Sequence, residues 1–222
     1  MADTRGGERP LRADAERNRS RILAAARVAF AEHGLGVALT DIADRAGVGI
    51  ATVYRRFPAR SDLIAACFAG RMTEYANSAQ AALAHEDPWA GFCAHVQKMC
   101  ALQAADRGLG DVLTRTFPGA RALESERSRA TRLSGQLVER AISTGLLRQD
   151  FANQDIALIL MANAGVVQAM GRDALEGSRR FVGLVLEALR ADRASPLPPP
   201  PSPAKVLRAM RTASESTPRG AQ

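Results

Sequence analysis

A chain of 222 residues that is 46% hydrophobic has enough apolar surface for one compact module with an appendage, which excludes an intrinsically disordered protein. Three loosely spaced cysteines, Cys67, Cys93 and Cys100, behind an N-terminus without an apolar leader argue against a disulfide framework and secretion, so a cytoplasmic protein with reduced thiols is expected. The net charge of +7 gathers at the two ends, with eleven basic against eight acidic side chains in residues 1–65 and four against one in residues 196–222. Such an excess fits a polyanionic partner or an ordinary solvated surface.

Residues 1–12 are rich in Gly and Arg without periodicity, so a flexible arm is expected there. From about Ala13 to His33, Ile22, Leu23, Ala26, Ala29 and Phe30 recur at three- and four-residue intervals, which predicts an amphipathic helix stopped by Gly34. Thr40 is the expected N-cap of a short second helix that ends at Gly47, with Ile42, Ala43 and Ala46 turned inward. After the tight connection Gly47-Val48-Gly49, a third helix is expected from Ile50 to Phe57, where Pro58 ends it.

A long helix follows from about Leu63 to Ala84, then helices over 88–105, 109–116 and 120–144, separated by Asp87-Pro88 and by Phe117-Pro118-Gly119. The last pair, 153–171 and 174–192, is the most apolar part of the chain. Its longest run, Ile156 to Met170, is interrupted by Asn163 and Gln168 and is shorter than the about 18 to 20 residues that span a bilayer, so no membrane partner is expected. Helices apolar on more than one stripe are covered on two sides, either within the chain or by a second subunit in a four-helix bundle through 153–192. Ser195 to Pro203 reads as a proline-rich linker and the basic residues after it as a disordered tail. The fold class expected is therefore all-α with about nine helices: a flexible arm (1–12), a three-helix helix-turn-helix unit (13–62), a larger helical unit (63–194) and a linker with a tail (195–222).

The informative stretch is Leu39 to Leu63, LTDIADRAGVGIATVYRRFPARSDL. On its third helix Val53 and Phe57 lie four apart and face inward, toward Ile42 and Phe30, while Ala51, Tyr54 and Arg55 share the opposite face. A helix with a tyrosine and arginines above an apolar underside suits a major groove, and the small or apolar groups Gly49, Ile50 and Ala51 at its start admit close approach to base edges and thymine methyls. The N-terminal Arg5, Arg9, Arg12 and Arg17 are of the kind that reaches along the backbone or into the minor groove.

These residues resemble the DNA-binding signature of the TetR family: a capped short helix with Thr40, the turn Ala46-Gly47-Val48, the recognition-helix run Thr52-Val53-Tyr54-Arg55-Arg56-Phe57, and Arg60 opening the next helix. The resemblance departs at Gly49, where the family often has a serine. It implies phosphate contacts from Thr40, Tyr54, Arg56 and Arg60, and base-edge or close-approach contacts from Ile50, Ala51, Thr52 and Arg55, with phosphate as the alternative for Arg55. It also implies a homodimer with recognition helices in successive major grooves of a palindromic double-stranded operator, and release of that DNA when a small molecule binds the helical domain. Gly108 to Phe117 (GLGDVLTRTF) looks like the ligand domain of one subset of the family.

Candidates for a ligand pocket are the larger side chains on the middle helices, Trp89, Phe92, Cys93, His95, Met99 and Phe117, with Met161 and Asn163 on the eighth helix. Each also fits plain core; a buried Asn163 needs hydrogen-bond partners. Cys93 and Cys100 are seven residues apart, about 10.5 Å along a helix, and His95 faces elsewhere, so no metal site is expected. The chain contains no phosphate-binding glycine loop, nucleophile elbow or paired carboxylates in a plausible cleft, so neither an enzyme nor a cofactor is expected. The alternative to a ligand-responsive regulator is an architectural or adaptor protein that binds DNA without a ligand.

Overall fold

The glycine turns and proline breaks of the sequence set most of the helix ends. The computed structural model describes residues 8–215. In order they form α1 (Glu8–His33), α2 (Leu39–Ala46), α3 (Ile50–Arg56), α4 (Arg60–Leu83), α5 (Pro88–Ala105), α6 (Arg107–Thr114), α7 (Arg121–Ser143), α8 (Asn153–Met170), α9 (Ala174–Ala188) and α10 (Pro203–Glu215). The described residues hold no strand, and none of their helices is long and apolar enough to cross a membrane.

Local chemistry accounts for the starts and stops. Gly34 and Gly47 follow α1 and α2 with positive φ of 74° and 61°, backbone that glycine adopts without the clash a Cβ brings. The Asp87 carboxylate accepts the amides of Trp89 and Ala90 at 2.9 and 3.1 Å with Pro88 in the first turn, so α5 begins with its free donors satisfied. Asp106 does the same for α6 through the Leu109 amide at 2.9 Å.

Four expectations are corrected. Residues 8–12 belong to α1 rather than to a flexible arm, and residues 1–7, with Arg5, lie outside the described residues. Thr40 is not the N-cap of α2: Ala38 is, without a side-chain cap, and Thr40 stands exposed in the first turn. The helix expected over 174–192 stops at Ala188, where Leu189 and Ala191 turn to pair with the 146–148 segment through Arg148 N–H to Leu189 O (3.0 Å) and Ala191 N–H to Leu146 O (2.8 Å). The tail is not disordered across 203–215, since Val206 and Met210, four apart, give α10 an apolar edge that seats near α8.

Packing places α4 along α7, α5 against α8 and α9, and the short α6 between α1 and α8. The contact at α1 is tight: a Cβ on Gly108 of α6 would stand 2.7 Å from the Phe68 ring and 2.9 Å from the Phe30 Cβ. Asn163 is fully buried and finds every partner an amide needs. Its Nδ2 donates to Gln103 Oε1 (2.9 Å) and Cys100 O (3.3 Å), its Oδ1 accepts from Ser178 Oγ (2.8 Å), and Gln103 Nε2 donates to Leu160 O (3.2 Å). One amide thus ties α5, α8 and α9. Asn163→Ala is expected to lower stability by about 1–3 kcal/mol, because it leaves Gln103 Oε1 without its donor in the interior and Ser178 with only Cys100 O as partner. The measurement is the urea midpoint, and a shift equivalent to less than about 0.5 kcal/mol would show the knot to be dispensable.

Candidate nucleic-acid interface and ligand cavity

α1, α2 and α3 form a head whose buried side is Phe30, Ile42, Val53 and Phe57, the last two 0% and 4% exposed. Burying an aromatic or aliphatic side chain contributes about 1.5–3 kcal/mol, so α3, only seven residues long, is held by its underside rather than by its own propensity. The other side of α3 is open. Tyr54 is 52% exposed, Ala51, Arg55 and Arg56 are exposed, and Ile50 and Thr52 are half-buried.

Gly49 caps α3 with extended backbone and nothing within 4 Å of where a Cβ would stand. The helix N-terminus is therefore bare and approachable. Arg55 Nη2 donates to Thr52 Oγ1 at 3.0 Å, so these two candidate base-reading groups are organised together, whereas Arg56 has no such partner among the described residues. Arg19 lies over the Phe57 ring at 5.6 Å, and Arg21 donates to Gly47 O at 3.1 Å, bracing the turn from outside. Arg17 pairs with Asp14 within α1.

Arg60, expected to contact phosphate, is engaged within the protein. Its guanidinium turns inward and donates to the carbonyls of Leu35 and Val37, and burial holds its pKa below the ordinary arginine value, with nearby Tyr54 pulling the other way. The same loop is held from the far side, where Asp111 Oδ2 on α6 accepts the Leu35 amide at 2.7 Å. The α1–α2 connection is thus gripped between α4 and α6.

A cavity of about 300 Å³ lies in the larger helical unit, walled by Tyr75, Leu113, Arg127, Ser134, Ile156 and Leu160 together with α10. Arg127 is nearly encased. It donates to the carbonyls of Val112, Leu113 and Arg115 at the end of α6 and pairs with Glu124 at 3.2 Å. Burial pushes its pKa down while Glu124 and Tyr75 push it up.

Two stretches match family models: residues 22–67 match "Bacterial regulatory proteins, tetR family", and residues 87–191 match "Transcriptional regulator SbtR-like, C-terminal domain". A TetR transcription regulatory protein from Mycobacterium vanbaalenii is 33% identical, the alignment covering 82% of this chain and 99% of that one, with a TM-score of 0.46. The chain belongs to the TetR family. The TetR regulator SCO0520 from Streptomyces coelicolor is 30% identical over 78% of this chain and 98% of its own, with a TM-score of 0.49. The regulator FadR from Bacillus subtilis, solved in complex with stearoyl-CoA, shares the fold at 17% identity, covering 80% of this chain and 100% of its own, with a TM-score of 0.56. No curated protein matches the chain. As a TetR-family member the protein is a DNA-binding transcriptional regulator, and the matched N-terminal model contains every candidate DNA-binding position from Thr40 to Arg60.

Within the TetR body, none of the eight residues expected to line a pocket borders the cavity. Phe92, His95, Met99 and Asn163 are buried in packing; Trp89 stacks on Phe92 at 5.7 Å; Cys93 and Phe117 are half-buried. Met161 faces a separate cleft between the loop after α1, α6 and α8. Phe92, His95, Met99 and Asn163 fill space, and the cavity lies where Tyr75, Thr131 and Ser134 left room. No group of three His, Cys, Asp or Glu that could hold a metal occurs among the described residues. Burial raises the thiols of Cys67, Cys93 and Cys100 to about 12, 11 and 12, which counts against thiolate chemistry, since reactive cysteines need the opposite shift.

His95 packs behind the cavity wall, against its lining residues Tyr75 and Ser134. It stacks on Tyr75 at 5.8 Å, and its two ring nitrogens lie 3.4 Å from Ser78 Oγ and from Ser134 Oγ. Burial, and then Lys98, lower its pKa from 6.5 to about 4. The folded state therefore binds this proton less readily than the unfolded chain. The contribution of neutral His95 to stability is complete above about pH 6.5 and is lost as pH falls toward 4. Between pH 7 and 4.5 the loss is expected to be on the order of 2 kcal/mol. Urea titrations of the wild type and of His95→Gln measure it, and equal pH slopes in the two proteins would refute the assignment.

Proposed function

We propose that the protein is a homodimeric repressor that occupies a palindromic operator and leaves it when a small, largely apolar effector binds the larger helical unit. The observation that carries this reading is the open face of α3, where exposed Ala51, Tyr54, Arg55 and Arg56 stand beside a bare helix start and above a buried underside. A helix so built presents its N-terminal residues to base edges in the major groove. In this reading Thr40, Tyr54 and Arg56 contact phosphates, Gly49, Ile50, Ala51 and Thr52 approach the bases, and Arg55 joins them through its bond to Thr52. Arg60 acts from behind by holding the loop that leads into α2.

The apolar outer faces of α8 and α9 support dimerisation. Leu158, Met170, Leu175 and Leu184 are 40–54% exposed, and Gly165 and Gly183 are open to close approach by another helix. The coupling is supported by α6. Leu113 lines the cavity and Arg127 both lines it and holds the end of α6, while Asp111 in the middle of that helix receives the Leu35 amide of the head. An occupant that displaces Leu113 or Arg127 shifts the helix on which the head leans. Effector must then weaken DNA binding by the factor with which DNA weakens effector binding.

Selection from random duplex DNA by the purified protein tests the function. One enriched palindrome that survives moderate salt is expected; near-uniform affinity that falls steeply with salt would overturn the regulator in favour of an architectural protein. On the selected site, Arg56→Ala and Tyr54→Phe are each expected to lower affinity, Arg56→Ala by about tenfold as befits a lost charge-assisted phosphate contact. Unaltered affinity in both variants, with helicity retained, would defeat the contact assignment.

The subunit interface has its own check. Leu184→Glu combined with Leu158→Glu is expected to halve the mass seen in analytical ultracentrifugation while the circular dichroism of the chain stays the same. A dimer that survives both charges assembles through another face.

A further inference from the structure

The tail supplies part of the cavity wall. Val206 and Met210 on α10 are each 8% exposed and, with Pro203 and Leu207, complete the enclosure begun by Tyr75, Ser134, Ile156 and Leu160. The remaining residues of α10 between 204 and 213 are exposed. Two buried side chains are a small anchor beside α8, which buries Ile156, Ile159, Leu160, Asn163 and Val167. The matched C-terminal model ends at residue 191, so this wall is added to the family body from outside it.

The connection to α10 is built as an arm. Arg148 Nη2 donates to Ser195 O at 2.6 Å, fixing its start, and residues 196–202 then run without helix, almost all exposed. Five of those seven residues are prolines, which gives a semi-rigid spacer that swings about its ends and keeps its length. At the far end Ser202 accepts the Lys205 and Val206 amides through its carbonyl at 2.9 and 3.2 Å, so the first turn of α10 is satisfied from within the arm and not by the body it docks on.

The cavity also limits its occupant. Arg127 is the one charged side chain in the wall, and Glu124 and three backbone carbonyls already engage it. Tyr75, Thr131, Ser134, Asn153 and Gln154 are the polar groups beside it. A ligand there meets apolar surface and hydrogen-bonding groups and no uncommitted charge, and a buried net charge without a partner is costly.

We propose that α10 is a hinged cap that closes the cavity over a compact, uncharged, mainly apolar ligand bearing a hydrogen-bonding group, and that the cap lifts to admit it. The proposal rests on the reading of this cavity as the effector site. Because ligand enters only the open fraction, the observed association rate is the intrinsic rate multiplied by that fraction.

Stopped-flow fluorescence with N-phenyl-1-naphthylamine, an uncharged apolar probe, tests this on the full chain. Val206→Asp with Met210→Asp is expected to raise the association rate at least tenfold, whereas Arg208→Asp, on the exposed side of α10, leaves it unchanged. The anionic analogue 1-anilinonaphthalene-8-sulfonate is expected to bind the wild type at least tenfold more weakly than the neutral probe. Equal association rates in wild type and double variant overturn the cap, and equal affinity for the two probes overturns the uncharged ligand. Hydrogen exchange of the wild type gives a check free of any variant: α10 amides are expected to exchange at least a hundredfold faster than those of Ile156 to Val167, and equal protection also overturns the cap. Failure of every compound to release operator DNA would sink the effector reading while leaving the probe kinetics to decide the cap.

Discussion

The guanidinium of Arg127, buried at the end of α6, is the constraint on which the relation between the two halves of the molecule depends. It satisfies three carbonyls that the C-terminus of α6 would otherwise leave without donors, and Glu124 balances its charge. A helix of eight residues has little stability alone. Fixed by Arg127 at one end and capped by Asp106 at the other, α6 becomes rigid enough to carry Asp111 to the Leu35 amide and to press Gly108 against Phe30 and Phe68. The head is therefore positioned by a short helix that is itself positioned by a side chain in the wall of the cavity.

This arrangement explains why Arg60 faces inward. The loop between α1 and α2 is short and carries free carbonyls, and a loop touched by α6 on one side needs a fixed support on the other. Arg60 supplies it from the first turn of α4, so the loop that sets the angle of α2 is referred both to the long helix and to α6. The exposed arginines of α3 are free of such duties: Arg55 touches only Thr52, and nothing described binds Arg56. An arginine that braces backbone and two that are open to solvent thus occur within six residues of one another.

The helix-turn-helix head was legible because its signals are local. Val53 and Phe57 four apart, Gly47 at positive φ and Pro58 after the recognition helix each determine backbone within one or two turns, and the family resemblance rests on the same residues. The tail misled because Pro196 to Pro201 dominates its composition. The overlooked signal was Ser202-Pro203 ahead of Val206 and Met210, a cap, a proline suited to the first turn and an apolar pair at helical spacing.

By itself, the sequence determined an all-helical chain, the position of its recognition helix, the side of that helix left to solvent and the two apolar helices near its end. Each follows from periodicity, caps and turns, which act over a few residues. Only the tertiary structure decided where the cavity lies, that Arg60 and Arg127 serve backbone carbonyls, that Asn163 closes a network across three helices, and that α10 completes a wall. These depend on which surfaces from distant parts of the chain meet and how well they fill the space between them. A cavity in particular is the space that packing leaves over, and no single residue encodes it.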